Sequence, residues 1–250
     1  MPLKHQPHAS WAEVYDIAYQ LSFGGFYTRM TDTTIDLIVG TIPPPAKIID
    51  FGAGTGRLSI PLSRKGYSVT AIDPCQEMLF QLKSKDPDAT IMPVCTKMED
   101  YCGNNEFDLA LCVFTVIVYL LDQQALKKAL QTAYGAIRPG GMLLLDIPSE
   151  SIFRGYSRQS SFLDRTVTVT HQDGSIYHYR EVVIIKGNGQ EQTRYVDEFP
   201  IRHWPVSQVS NVLEELGFVR HKDLTNHFYG TGSNYYIYQK PNKAVNGSRR

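Results

Sequence analysis

Ile48-Ile49-Asp50-Phe51-Gly52-Ala53-Gly54-Thr55-Gly56-Arg57-Leu58 decides how the rest of the chain is read. An apolar run breaks into alternating glycines and then resumes with helical periodicity, the pattern of a buried strand that hands over to a ligand-binding turn. Glycines at 52, 54 and 56 remove side chains that would hold a ligand off the backbone, and the start of the following helix offers unpaired N–H groups to a carboxylate or phosphate. A dinucleotide fingerprint would place its third glycine where Arg57 stands, and no G-K-[ST] follows to make a phosphate loop. An anionic or nucleotide-like ligand is expected, its type still open.

Upstream, Ser10 and Glu13 have the form of a capping box, and Trp11, Val14, Tyr15, Ala18 and Leu21 recur at helical spacing. This predicts a helix over 11–21 with Tyr15 and Tyr19 on one face. Gly24-Gly25 interrupts it, a second helix is predicted over 28–39, and Pro43-Pro44-Pro45 ends that one.

Downstream, predicted strands over 47–51, 68–73, 90–94, 107–113 and 141–147 come with predicted helices over 57–65, 75–84 and 122–137. Apolar strands alternating with helices call for a parallel sheet covered on both faces. Such sheets bind ligands beyond the carboxyl ends of their strands, and the glycine turn sits at one of those ends. Asp73, closing the second strand, is well placed to accept hydrogen bonds from both hydroxyls of a ribose, and it would also serve as a helix N-cap.

After Pro148 the segments 166–170, 176–185 and 193–199 are β-branched and aromatic, punctuated by Asp173-Gly174 and Gly187-Asn188-Gly189. They predict an antiparallel insertion of about three strands. A helix over 206–216 closed by Gly217, then strands over 218–224 and 235–239, complete the pattern.

A chain of 250 residues suits one well-buried domain. Its 25 Lys and Arg balance its 25 Asp and Glu, so no global field draws it to nucleic acid or an anionic membrane. The first residues lack the apolar core of a signal peptide and no apolar run is long enough to span a bilayer, so a cytoplasmic location is expected. Cys75, Cys95, Cys102 and Cys112 form no C-x-x-C pair, and no metal site is expected. Asn246-Gly247-Ser248 fits a glycosylation sequon, which has no use without a secretory route.

Three segments, Ile49-Asp50-Phe51-Gly52-Ala53-Gly54-Thr55-Gly56, Asp73-Pro74-Cys75-Gln76-Glu77-Met78-Leu79 and Arg138-Pro139-Gly140-Gly141, resemble in order and spacing the class I S-adenosylmethionine-dependent methyltransferases. The resemblance covers about residues 10 to 150 and, more loosely, Leu216-Gly217-Phe218. It implies an α/β fold, a Rossmann-like seven-stranded sheet with helices on both faces and a small antiparallel β insertion after strand 5. The implied organisation is an N-terminal helical lid (1–45), an S-adenosylmethionine-binding core (46–150), an insertion roofing the substrate (151–204), the C-terminal part of the core (205–240) and a disordered tail (241–250).

Carried over by position, the resemblance implies that Gly52, Ala53, Gly54 and Gly56 hold the methionine part of the cofactor, with Asp50 near its amino group. Asp73 grips the ribose, flanked by Pro74 and Met78; Met98 and Glu99 meet the adenine; Val113 and Phe114 lie under the methionine tail. Two positions depart from the family pattern: Lys97 stands where many relatives carry aspartate, and Cys75 replaces the commoner serine.

The reaction so implied moves a methyl group from S-adenosylmethionine to an N or O atom of a small metabolite by in-line displacement, leaving S-adenosylhomocysteine. His178, His203 and His227 are candidate bases, with His203 the leading catalytic residue. Tyr15, Tyr19, Tyr177, Tyr179, Arg180, Arg202 and Trp204 are candidates to face the substrate. Strand alternation puts Tyr177, Tyr179 and Glu181 on one face and His178, Arg180 and Val182 on the other, so one of these faces is packing. A tyrosine-bearing N-terminal helix with an inserted sheet looks like the branch that methylates small molecules, including amino-sugar and glycine N-methyltransferases. Two alternatives stay open: a protein or RNA substrate, disfavoured by the neutral charge, and a cofactor-binding subunit without catalysis. A small-molecule partner, with neither nucleic acid nor membrane, is expected; the oligomeric state is not readable.

Overall fold

The computed structural model describes residues 6–187 and 192–242. The Asn188-Gly189 part of the predicted turn, the sequon at 246–248 and the predicted tail beyond 242 fall outside them.

Strands β1 (Lys47–Phe51), β2 (Ser68–Asp73), β3 (Ile91–Cys95), β4 (Phe107–Cys112) and β5 (Ile137–Pro148) run parallel to one another. Strands β6 (Tyr156–Gln159), β7 (Leu163–Asp173), β8 (Ile176–Lys186) and β9 (Gln192–Arg202) make a separate antiparallel sheet. The last two, β10 (Val219–Asp223) and β11 (Ser233–Gln239), return antiparallel to the first sheet, whose order is β10-β11-β5-β4-β1-β2-β3. The order reverses between β1 and β4, and a crevice opens there because the connections from the two strands leave in opposite directions.

Both faces of this sheet are covered. Ile49 and Phe51 on β1 pack with Leu126, Ala129 and Leu130 of α5 (Gln123–Ala136) and with Val209 and Leu213 of α6 (Val206–Glu215). Ile48, offset by one residue and so on the other face, packs with residues of α2 (Gly25–Thr41), α3 (Ser59–Arg64) and α4 (Gln76–Ser84). Asp122 starts α5, its Oδ1 accepting the Ala125 N–H at 2.7 Å. Asp122→Ala is expected to cost about 1 kcal/mol in urea unfolding with no change of slope, as for the loss of an N-cap acceptor.

Three expectations are corrected by the fold. The insertion has four strands, because the polar edge strand Tyr156-Ser157-Arg158-Gln159 carries no alternating apolar signal. The Ser10–Glu13 capping box does not form: residues Ala9–Val14 are a 3-10 segment kinked at Trp11, and α1 (Tyr15–Phe23) starts four residues late. Glu13 instead accepts the Tyr195 hydroxyl of β9 at 2.8 Å, a tertiary bond that overrides the local signal. The helix after the glycine turn begins at Ser59 rather than 57, since Gly56 sits at φ +88°.

The small sheet rests on the N-terminal segment, where Leu163 and Val183 bury against Trp11 and Ala18. It also rests on the connection after β4, where Phe199 and Ile201 pack on Val118. It lies over the carboxyl end of the main sheet for this reason. Among the described residues, no helix is long and apolar enough to cross a membrane.

Candidate functional site

β1 ends at Phe51, and the backbone N–H groups of Gly52 and Ala53 both donate to the Ile72 carbonyl, at 2.8 and 3.0 Å. The turn is thereby folded onto the end of β2. Gly52, at φ +72°, has no room for a side chain, since a Cβ would stand 2.5 Å from a methyl of Val116. Gly54 differs. An added Cβ would meet nothing closer than the Met78 methyl at 3.5 Å, so the missing side chain leaves open wall there.

Asp73 closes β2 with a carboxylate 8% exposed. Its Oδ2 accepts the Gly54 N–H at 2.9 Å and its Oδ1 the Cys75 N–H at 2.8 Å, so one side chain fixes both the glycine turn and the entry to α4. Both oxygens keep further lone pairs for two ligand hydroxyls. Burial pushes its carboxyl up to about 6 against the pull of those two bonds. Asp50 is also pushed up to about 6 by burial, opposed by the Ser59 hydroxyl it accepts at 2.6 Å.

Across the crevice, β4 runs into two consecutive left-handed residues, Phe114 at φ +70° and Thr115 at φ +68°. Neither is glycine, so the turn is strained and must be held by its surroundings. Asp146, fully buried near the end of β5, holds it by accepting the Thr115 N–H at 3.0 Å. A single acid within Leu143-Leu144-Leu145-Asp146-Ile147 was a sequence signal that this side chain has a specific partner.

These ends enclose a cavity of about 210 Å³. The structure brings Gly52, Gly54, Asp73, Pro74 and Met78 to one side of it, Met98 and Glu99 to another, and Phe114, Tyr15 and Tyr19 to a third. An adjoining space of about 40 Å³ behind Tyr15 and Phe114 is bordered by Asp50, Ala53, Val113 and Arg57. The Arg57 guanidinium lies 4.5 Å from the Phe114 ring centroid and donates to the Thr31 hydroxyl at 3.0 Å. Gly56 borders neither space, its φ of +88° and contact with Ile60 serving the turn itself. An open wall at Gly54, a paired acid at Asp73 and a charged recess beyond the glycines fit S-adenosylmethionine, the group the resemblance implies.

The other candidates lie elsewhere. His203 packs edge-on against Phe153 with its Nδ1 3.9 Å from Glu150, away from the cavity. Arg180 pairs with Glu198 at 2.6 Å on the surface, and Tyr177 packs on Phe153. Tyr179 stacks on Phe199 behind the cavity wall. Arg202 stacks on Trp204 and donates to the Leu121 carbonyl at 2.9 Å, while Trp204 is a core residue bonded to the Leu120 carbonyl. These two brace the loop below the cavity.

Sequence reasoning missed the residues that knit the roof to the core. Asp16 accepts the Thr55 hydroxyl of the glycine turn at 2.5 Å and pairs with Lys85. Arg165 and Glu181, both fully buried, form an ion pair, and the guanidinium also lies 4.1 Å from the Tyr19 ring centroid. His8 lines the cavity, bonded to Tyr119 at 2.9 Å through Nε2 and to Asp197 through its backbone N–H. The strand alternation of Glu181 with buried neighbours was the available signal for the ion pair; no local signal pointed to His8.

Residues 48–141 match the family model of a methyltransferase domain. The chain is 25% identical over 193 residues to a Bacillus subtilis protein described as the putative methyltransferase YqeM, covering 74% of this chain and 78% of that one. It is 24% identical over 135 residues to the dTDP-3-amino-3,4,6-trideoxy-alpha-D-glucopyranose N,N-dimethyltransferase of Streptomyces venezuelae, covering 54% of this chain and 56% of that enzyme. A solved S-adenosylmethionine-dependent methyltransferase from Clostridium acetobutylicum has the same fold, with a TM-score of 0.79 at 18% identity over 92% of this chain and 98% of that one.

Proposed function

We propose that the chain is a class I S-adenosylmethionine-dependent methyltransferase that takes S-adenosylmethionine as cofactor and methylates an N or O atom of a small molecule, a reading supported by the methyltransferase-domain match over residues 48–141 and by the shared fold. The observation that carries this reading is the cavity that joins Asp73 and Gly54 to the aromatic wall of Tyr15, Tyr19 and Tyr119. Its volume and its cover of inserted sheet suit a small acceptor better than a folded macromolecule. The amino-sugar dimethyltransferase among the relatives supports a nitrogen acceptor.

In this reading Asp73 holds the two ribose hydroxyls, Met98 and Glu99 border the adenine, and Asp50 with Arg57 faces the charged amino-acid end. The bound cofactor supplies a methyl group on a sulfonium, already a capable leaving group. The protein's part is alignment and exclusion of water. Tyr15 and Tyr19, stacked 4.4 Å apart, close the side of the cavity beside Phe114, and the Asp16 to Thr55 bond ties their helix to the glycine turn. Among the described residues His8 is the histidine that borders the cavity, its Nε2 2.9 Å from the Tyr119 oxygen, while His178, His203 and His227 do not line it.

Asp73 accepts the ribose hydroxyls in its ionised form, and burial raises that group to about 6. Cofactor affinity is therefore expected to be flat at neutral pH and to fall on acidification through about 6, at most about tenfold per pH unit for one group. Calorimetric titration across pH 5 to 8 checks this, and Asp73→Asn should flatten its share of the slope.

Incubation with methyl-labelled S-adenosylmethionine and a metabolite extract tests the acceptor class. Label in a small product is expected. Label in protein or RNA would move the acceptor to the macromolecular alternative, and binding without any transfer would favour a non-catalytic subunit.

A further inference from the structure

Asp146 is a fully buried acid on β5 whose same-face neighbour, Leu144, packs in the apolar core. Burial pushes its carboxyl up to about 6, against the pull of the Thr115 N–H, the Ser233 hydroxyl and the Arg57 charge. An acid whose folded value is raised takes stability away once it ionises, so at neutral pH this side chain works against the fold. Asp146 borders neither the cavity nor the recess beside it, so it touches no ligand there. What it does hold is the turn after β4.

Phe114 and Thr115 are left-handed in succession, at φ +70° and +68°. Residues other than glycine adopt this conformation at a cost, so the pair persists only where its surroundings fix it. The Thr115 N–H donates to Asp146 Oδ1 at 3.0 Å. The same turn meets the glycine turn at two points. A Val116 methyl stands 2.5 Å from where residue 52 would carry a Cβ. The Phe114 ring centroid lies 4.5 Å from the Arg57 guanidinium, with the rings of Tyr19 and Tyr27 at 5.6 and 5.7 Å. Phe114, Thr115 and Val116 border the cavity, and Phe114 also borders the recess that holds Asp50 and Arg57.

We propose that Asp146 is the positioning residue for the amino-acid end of the cofactor, locking the left-handed pair Phe114 and Thr115 so that this turn shapes the recess of Asp50 and Arg57. The inference rests on the methyl-transfer reading above, in which that recess faces the amino-acid end. Freed from Asp146, the pair relaxes toward negative φ and carries the Phe114 ring and the Val116 methyls away from the glycine turn.

The test measures by calorimetry the dissociation constants of S-adenosylmethionine, S-adenosylhomocysteine and 5′-methylthioadenosine, which keeps adenine and ribose but has no amino-acid end. In Asp146→Ala the first two are expected to weaken about ten- to hundredfold, the range for one or two residues released from left-handed strain. Binding of 5′-methylthioadenosine is expected to match wild type. Asp146→Asn, whose side-chain oxygen still accepts the Thr115 N–H, stays within about threefold of wild type for all three ligands. Thr115→Gly in the Asp146→Ala background restores most of the lost affinity, because glycine adopts φ +68° without strain.

Equal weakening of all three ligands in Asp146→Ala, no weakening of any, or a loss that Thr115→Gly leaves in place overturns the proposal. Retained binding of 5′-methylthioadenosine shows that the variant is folded. Where Asp146→Ala does not fold, Asp146→Val takes its place: it suits a strand, removes the buried acid and offers no acceptor, and the same split between ligands is expected. Failure of the wild-type chain to bind S-adenosylmethionine or S-adenosylhomocysteine would instead sink the methyl-transfer reading on which the proposal stands.

Discussion

Asp73→Ala is expected to raise the dissociation constant for S-adenosylmethionine roughly 30- to 150-fold, a loss of about 2–3 kcal/mol. The carboxylate has two roles at once, and the substitution removes both. It withdraws the acceptor for the ribose hydroxyls, and it releases the Gly54 and Cys75 N–H groups that shape the turn and the start of α4. Asp73→Asn keeps one acceptor oxygen and should fall between the two. An unchanged constant in Asp73→Ala, measured by calorimetry on folded protein, would refute the placement of the ribose at the end of β2.

Arg165→Ala is expected to cost about 3–5 kcal/mol of stability, the largest effect foreseen for a residue away from the cofactor. Glu181 is fully buried, and without Arg165 its charge has no counter-ion in the ion pair. The guanidinium also packs 4.1 Å from Tyr19 and 5.6 Å from Trp11, so its removal opens a gap between the inserted sheet and the N-terminal segment. Arg165→Met with Glu181→Leu removes both charges while keeping volume, and should recover most of the loss. Urea unfolding at neutral pH checks both variants. A cost under about 1 kcal/mol for Arg165→Ala would mean that the pair is hydrated rather than buried.

The core was legible in the sequence where one signal dominated. The β1 run Ile48-Ile49-Asp50-Phe51 is apolar on both faces because both faces are covered, and the glycines after it mark a turn that packs against Val116 and Ile60. The roof was legible only in outline. Ser10 and Glu13 carry a helix-start pattern, yet Glu13 is drawn away to Tyr195 and the segment kinks at Trp11. His8, Tyr119, Arg165 and Asp197 come from four distant stretches, and only the fold places them together. Arg180 and Arg202 were candidates to face the substrate by residue type alone, whereas Glu198 and the Leu121 carbonyl already engage them. Residue type announced the cofactor end, since glycine and aspartate there act through the local backbone. At the acceptor end the partners are remote in sequence.

The occupant of the cavity between β1 and β4 decides what the chain does. Calorimetric titration of the purified chain with S-adenosylmethionine at neutral pH tests it most directly. Saturable binding to a single site, strongly weakened by Asp73→Ala, is the predicted result. Absence of binding at millimolar cofactor, or binding indifferent to Asp73, would contradict it.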